Sequence, residues 1–334
     1  MISFYLNGKD EVKLKTVVGV KPVRLSKNAT IGIVSPASRP LDEGVYRQGI
    51  SYLENLGYKV IESEHVLNKR GYLAGEDFDR AADLNKMFQN PDVDAIICSR
   101  GGYGTPRIID QIDFKAIQTN PKVFIGYSDI TSLNLAIWQQ TRLVTFSGAM
   151  VAVEMGKGIN PFTEQHFWKM LTFVEPIGLL SNPPDVLINI FKPGKAEGIL
   201  LGGCLSLINV LLGTPYCPNF KDAILFIEDI DEEPYRVDRY LAQLKLAGIL
   251  NQVAGIVVGQ FIDCEPSEPE KPYLKLDEIF KDYFGSLNIP IITNFAYGHG
   301  SIKHIMPIGV QAILDTDQGG LIITESAVSE NIII

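Results

Sequence analysis

Residues 122–140 read KVFIGYSDITSLNLAIWQQ. Residues 122–125 are a short apolar run, Gly126 opens a turn, and 131–140 have the length and apolar content of a helix. A strand passing directly into a helix is the repeating unit of a parallel sheet. Toward the N-terminus the same unit recurs. TIGIVS at 30–35, closed by Pro36, predicts a strand. Residues 42–56 predict a helix, with Val45, Ile50, Leu53 and Leu56 at apolar spacing and Gly57 as the stop. Further strands are predicted at 59–62 and 94–98, and helices at 78–89 and 108–117. The alternation predicts an α/β fold, a parallel sheet with helices on both faces. Ligands of such sheets lie beyond the carboxyl ends of the strands, so the loops after Ser35, Cys98 and Ile125 should line one site.

Toward the C-terminus the character changes. Residues 150–195 hold Gly156, Gly158, Pro161, Pro176, Pro183, Pro184 and Pro193 with weak periodicity. They read as a crossing segment with one helix at 163–173. Beyond it come a strand and helix over 198–212, an apolar strand at 223–227, and a helix running from Pro234 to Gly248. Strands at 254–261 and 289–293 follow, then a closing hairpin of 310–314 and 321–324. At ~150 residues per domain, a chain of 334 residues has room for two. The expected division is an N-terminal extension at 1–19, an α/β domain at 20–149, the crossing at 150–195, and a smaller mixed α/β domain at 196–334.

Composition narrows the function. Hydrophobic residues are 46% and charged residues 21%, the mix of a globular protein. Thirty Lys and Arg against 39 Asp and Glu leave a net charge of -9, which argues against a nucleic-acid partner. No apolar run approaches the ~20 residues of a membrane span, and the first 27 residues lack a signal peptide's pattern. No membrane partner and a cytoplasmic location are therefore expected. Cys98, Cys204, Cys217 and Cys264 form no C-x-x-C pair, and the four histidines contain no H-E-x-x-H, so no metal is expected.

Three strand ends carry residues able to do chemistry. In IGYSDIT, Ser128 sits on a sharp strand-to-helix turn, where its oxygen can project from the sheet. The N–H of Asp129 then points toward a developing oxyanion. The hydrolase elbow G-x-S-x-G is matched only in part, because Ile130 replaces the second glycine; a plain helix N-cap is the simpler alternative. In SRGGYG, at 99–104, the backbone of Gly101 and Gly102 can approach a bound group closely, as a phosphate cradle or an oxyanion hole. In FIED, at 226–229, two carboxylates end a buried strand. Glu228 would need a partner: a histidine to orient, or Arg236 or Arg239 in a structural ion pair. Among histidines, His299 in YGHG is the best placed for general-base work, with His304 its competitor. Together these residues make a serine, carboxylate and histidine set in that chain order.

The segments IGIVSPAS (31–38), SRGGYG, IGYSDIT, FIEDIDEEPYRVDR (226–239) and GHG (298–300) together resemble the LD-carboxypeptidase family of serine peptidases, which includes the microcin C immunity peptidases. The likeness runs from about Val20 to Glu325 with the motifs in the family order. It implies Ser128 as nucleophile, His299 as base and Glu228 as its orienting carboxylate, with the site between two domains. It also implies an oxyanion hole of backbone N–H groups at Gly101, Gly102 and Asp129, no metal or organic cofactor, and a homodimer. One departure is visible: GGCL at 202–205 carries Cys204 where family members often have Asn.

The resulting expectation is release of terminal D-alanine from a murein tetrapeptide during cell-wall recycling, with a peptide or muropeptide as substrate. Hydrolysis of peptidyl or aminoacyl adenylates is the alternative within the family, and a non-catalytic small-ligand binding protein the alternative outside it. Arg100, Arg236 and Arg239 are candidates for the substrate carboxylate, and Tyr103 and Cys204 for other contacts. The acidic run at 228–233 suggests a substrate carrying a free amine.

Overall fold

The computed structural model describes residues 19–331; the expected N-terminal extension lies outside them apart from Gly19. Along the chain run β1 (Thr30–Val34), α1 (Glu43–Asn55), β2 (Lys59–Glu62), α2 (Asp77–Gln89) and β3 (Ala95–Cys98). Next come α3 (Phe114–Thr119), β4 (Val123–Ile125), α4 (Thr131–Thr141), β5 (Thr145–Ser147) and α5 (Pro161–Thr172). The second half has β6 (Gly178–Leu180), β7 (Asn189–Lys192), β8 (Lys195–Cys204), α6 (Leu205–Leu211), β9 (Ile224–Ile230) and α7 (Pro234–Leu246). It closes with β10 (Gly255–Ile262), α8 (Leu276–Phe284), β11 (Ile291–Thr293), β12 (Met306–Ile308), β13 (Gln311–Asp315) and β14 (Gly320–Ile323).

These strands make two sheets. The first has the order β12-β5-β4-β3-β1-β2, parallel from β5 through β2. Its central strands are apolar on both faces, because helices cover both; Ile31, Ile33, Ile96 and Ile97 are wholly buried. The second has the order β6-β14-β13-β8-β9-β10-β11-β7. In it β8, β9, β10 and β11 are parallel, and antiparallel strands complete both edges. The two-sheet α/β architecture agrees with the expectation. β12 comes from late in the chain, yet it pairs antiparallel with β5 and closes the edge of the first sheet.

α4 has no polar face because nearly all of it is buried. Its first residue meets the other sheet: Cys204 N–H donates to Thr131 Oγ1 at 3.1 Å, joining the end of β8 to the start of α4. The carboxyl ends of β3 and β4 and those of β8 and β9 thereby face one region.

Several expectations need correction. The helix predicted at 108–117 is two 3-10 turns, Thr105–Arg107 and Ile109–Gln111, followed by α3. Asp113 accepts from Ala116 N–H and starts the helix there, five residues later than the apolar spacing suggested. The strand predicted to end at Ile227 runs to Ile230, so Glu228 and Asp229 belong to β9 itself. Residues 150–195 hold a π-type turn, Val151–Met155, and the strands β6 and β7 besides the expected helix. No correction is needed at the two tryptophans, which are packing residues as expected: Trp138 is buried in α4, and Trp168 stacks on Tyr58 with ring centroids 5.1 Å apart.

Candidate active site

β4 delivers Ser128 with φ of 63°, in the left-handed region that only glycine enters freely. Something around the turn must hold it there. Asp129 does so from one side: its carboxylate accepts from Thr105 N–H at 2.8 Å and its carbonyl from Thr105 Oγ1 at 2.6 Å. Burial pushes the Asp129 carboxyl up to about 6 against the lowering effect of these bonds. Asn134 Nδ2 donates to Gly126 O at 2.8 Å from the other side. The departure at Ile130 has a packing reason. A Cβ on Gly126 would meet the Ile130 side chain at 2.8 Å, so glycine at 126 and a branched residue at 130 fit as a pair. Ser128 Oγ makes no hydrogen bond among the described residues, so it is not the helix cap that the simpler reading allowed.

The SRGGYG loop lies against this turn. A Cβ on Gly101 would sit 2.8 Å from Ser128 Cβ and 3.1 Å from its Oγ, so no larger residue fits. The IVSPAS segment braces the loop from beneath. Ser35 Oγ meets Ser99 Oγ at 2.6 Å, Ser38 N–H donates to Gly101 O at 3.3 Å, and Ser38 Oγ accepts from Tyr103 N–H at 3.2 Å. The N–H groups of Gly101, Gly102 and Asp129 donate to no acceptor among the described residues. They are the donor set expected of an oxyanion hole.

From the second sheet comes Glu228, which is wholly buried. Its Oε2 accepts from His299 Nδ1 at 2.7 Å, which leaves the other ring nitrogen for chemistry. Glu228 therefore partners the histidine, not Arg236 or Arg239. The competitor His304 is excluded by its setting: it is buried, its Nε2 bonds Ser181 O at 3.0 Å, and burial together with nearby His166 pushes its pKa down to about 3.

His299 and Ser128 line a cleft of about 340 Å³ with Arg100, Gly101, Gly102, Tyr127 and Lys157, without a direct hydrogen bond between them. A second cleft of about 610 Å³ reaches Ser128 from the other side. It includes Tyr103, Cys204, Asp229, Glu232 and Arg239. The two clefts differ in charge. Arg100 is half-buried and has no carboxylate partner among the described residues; burial lowers its pKa. Across Ser128, Asp229 is buried and pushed up to about 6 by desolvation and by Glu228. Cys204 donates its thiol hydrogen to Asp229 Oδ1 at 3.2 Å, and burial raises that thiol well above its ordinary pKa. Arg236 lies elsewhere, in a groove lined by Pro266, Lys271 and Tyr273, 3.6 Å from Glu232. Glu233 turns to the same groove and accepts from Ser267 N–H at 3.1 Å. The structure thus gathers Ser128, His299, Glu228, Gly101, Gly102, Asp129, Arg100, Tyr103, Cys204 and Arg239 around two joined clefts, and leaves Arg236 outside. Sequence reasoning missed Ser38 and Thr105, whose partners are distant in the chain, and Asp229, whose neighbour Glu228 drew the attention.

Known proteins agree with this architecture. A model of the LD-carboxypeptidase N-terminal domain matches residues 31–148, and one of the LD-carboxypeptidase C-terminal domain matches residues 197–314. A Bacillus subtilis protein named "Probable murein peptide carboxypeptidase" is 42% identical over 316 residues, covering 93% of this chain and 96% of that one. The solved muramoyltetrapeptide carboxypeptidase from Oxalobacter formigenes superposes with a TM-score of 0.76 at 31% identity, covering 88% of this chain and 97% of that one. The microcin C7 self-immunity protein MccF, solved in complex with aspartyl sulfamoyl adenosine, superposes with a TM-score of 0.85 at 26% identity, covering 93% of this chain and all of that one. Among the described residues no helix is long and apolar enough to cross a membrane.

Proposed function

The chain belongs to the LD-carboxypeptidase family of peptidases, and from that premise we propose that it is a serine-type enzyme releasing the terminal D-alanine of murein tetrapeptides. The observation that carries the serine mechanism is the buried Glu228 holding His299 at the cleft that Ser128, Gly101 and Gly102 also line. Ser128 Oγ attacks the scissile carbonyl while His299 Nε2 takes its proton. The N–H groups of Gly101 or Gly102 and of Asp129 receive the oxyanion. His299 then returns the proton to the leaving amine of D-alanine. Water, activated by the same base, clears the acyl-enzyme and regenerates Ser128. In this reading the halves before and after the 150–195 crossing supply nucleophile and base respectively. A cytoplasmic location and a homodimer belong to the same reading.

The polarity of the two clefts sets the direction of binding. The basic cleft takes the D-alanine carboxylate, with Arg100 as its fork-shaped donor. The acidic cleft takes the amine-bearing residue before the scissile bond, beside Asp229 and Glu232. Losing a charge-assisted hydrogen bond typically weakens binding by ~10–100-fold. Arg100→Met should accordingly raise KM by about that factor for peptides with a free carboxyl terminus. Amidated analogues, lacking the charge, should bind both forms alike. Equal KM values for the free-acid peptide would remove Arg100 from this role.

The direct test is incubation with a murein tetrapeptide and, separately, with a peptidyl-sulfamoyl-adenosine, followed by mass spectrometry. D-alanine release from the tetrapeptide is expected. Turnover of the adenosine compound alone would favour the immunity-type activity, and turnover of neither would favour a binding protein.

A further inference from the structure

Lys303 follows His299 by four residues in the same loop and is only 2% exposed. An ammonium group withdrawn from water needs compensation. Glu154, on the Val151–Met155 turn, supplies it at 2.6 Å from Lys303 Nζ. The same carboxylate accepts from the Tyr127 hydroxyl at 2.7 Å and from Met150 N–H at 3.0 Å. Burial pushes the Glu154 carboxyl up, but the Lys303 charge and these bonds outweigh it and hold the group below its ordinary pKa, hence ionised at neutral pH. Tyr127, the residue before Ser128, completes the set. Lys303 Nζ lies 4.0 Å from the centre of its ring, and the ring meets the His299 imidazole edge to face with centroids 5.0 Å apart.

Nothing in the triad chemistry uses Glu154 or Lys303. A buried ion pair is also a poor device for stability, since apolar replacements of both partners are often neutral or stabilising. Its position is more informative. Two carboxylates grip the loop carrying the base, Glu228 of β9 at His299 and Glu154 from the side of the first sheet at Lys303, and the Lys303 N–H also donates to Thr163 Oγ1 of α5 at 3.0 Å. We propose that Glu154, Lys303 and Tyr127 form a positioning unit that sets the His299 loop against the turn bearing Ser128. The proposal rests on the reading of Ser128 and His299 as nucleophile and base. A misplacement of about 1 Å can cost ~10²-fold in rate, so a clamp at this point acts on turnover before it acts on binding.

Two variants test it, each with two readouts. Tyr127→Phe keeps the ring and deletes the bond to Glu154. The double variant Glu154→Gln with Lys303→Met deletes the pair without stranding a charge, so its thermal midpoint should stay near that of the wild type. One readout is the rate at which a fluorophosphonate probe labels Ser128, which needs the nucleophile and base but no peptide. The other is kcat and KM for D-alanine release. Tyr127→Phe should lower labelling and kcat about tenfold, and the double variant about 10²-fold, with KM within about twofold in both. Folded variants that label and turn over at wild-type rates would overturn the proposal, leaving the trio a structural role only. Should the double variant fail to fold, Tyr127→Phe decides alone. Wild-type protein that labels but releases no D-alanine would sink the murein reading and leave the positioning claim readable from the labelling rates. Absence of labelling at Ser128 in the wild type would overturn both.

Discussion

Ser128→Ala is expected to lower D-alanine release by at least about 10⁴-fold, while leaving the thermal midpoint within a few degrees of the wild type. The hydroxyl has no hydrogen-bond partner among the described residues, so its removal strands no buried group. The backbone adds a second, sharper expectation. At φ of 63° a residue with a Cβ carries strain of about 1–2 kcal/mol that glycine does not. Glycine gives back part of that through its freer unfolded chain, about 0.4–1 kcal/mol. Ser128→Gly should therefore be inactive, yet more stable than Ser128→Ala by roughly 0.5–1 kcal/mol. Urea titration of the two inactive proteins measures the difference. Alanine as stable as glycine would mean that the turn is unstrained, and retained hydrolysis in either would remove Ser128 as nucleophile.

Glu228→Gln is expected to reduce kcat by about 10⁴-fold with little change in KM. The amide cannot stabilise the imidazolium that forms when His299 takes a proton, and its NH₂ group can face Nδ1 and select the wrong tautomer. Stability should not fall in parallel. The side chain is wholly buried, and exchanging an ion for an isosteric neutral group removes a desolvation penalty. The measurement is kcat by product mass spectrometry alongside a thermal melt. A loss of less than tenfold would show that Glu228 merely fills space behind the histidine.

Much of this site was legible in the sequence because Ser128, the Gly101–Gly102 loop and Glu228 lie at the ends of apolar strands, and His299 stands out between two glycines a few residues beyond another. The run VFI before GYSD and the run AIIC before SRGG are too apolar and too short for anything but buried parallel strands, and their loops then share one end of a sheet. The strands β5 and β12 were not legible. TFS and MPI are three residues each, and the proline in the second argues against a strand until the edge position that tolerates it is known. α8 was hidden behind the Pro and Glu loop that precedes it. The Lys303–Glu154 pair spans 149 positions, and no local pattern reports a partner so far away. The early start of the helix predicted at 108–117 had the converse cause. Ile108, Ile109, Ile112 and Ile117 have helical spacing, but Thr105 is tied to Asp129, and the chain between it and Asp113 is drawn into tight turns.

The edge strand β12 bears on how the molecule comes into being. Emerging from a ribosome, the chain exposes β1 through β5 of the first sheet long before Met306–Ile308 is made. Until then β5 presents an open row of backbone groups, a site for mispairing that a nascent chain must guard. The loop at 299–303 precedes the closing strand by a few residues, so edge closure and delivery of His299 and Lys303 come almost together. Closure of the first sheet and the meeting of His299 with the Ser128 turn thus wait on one short stretch of chain, residues 299–308.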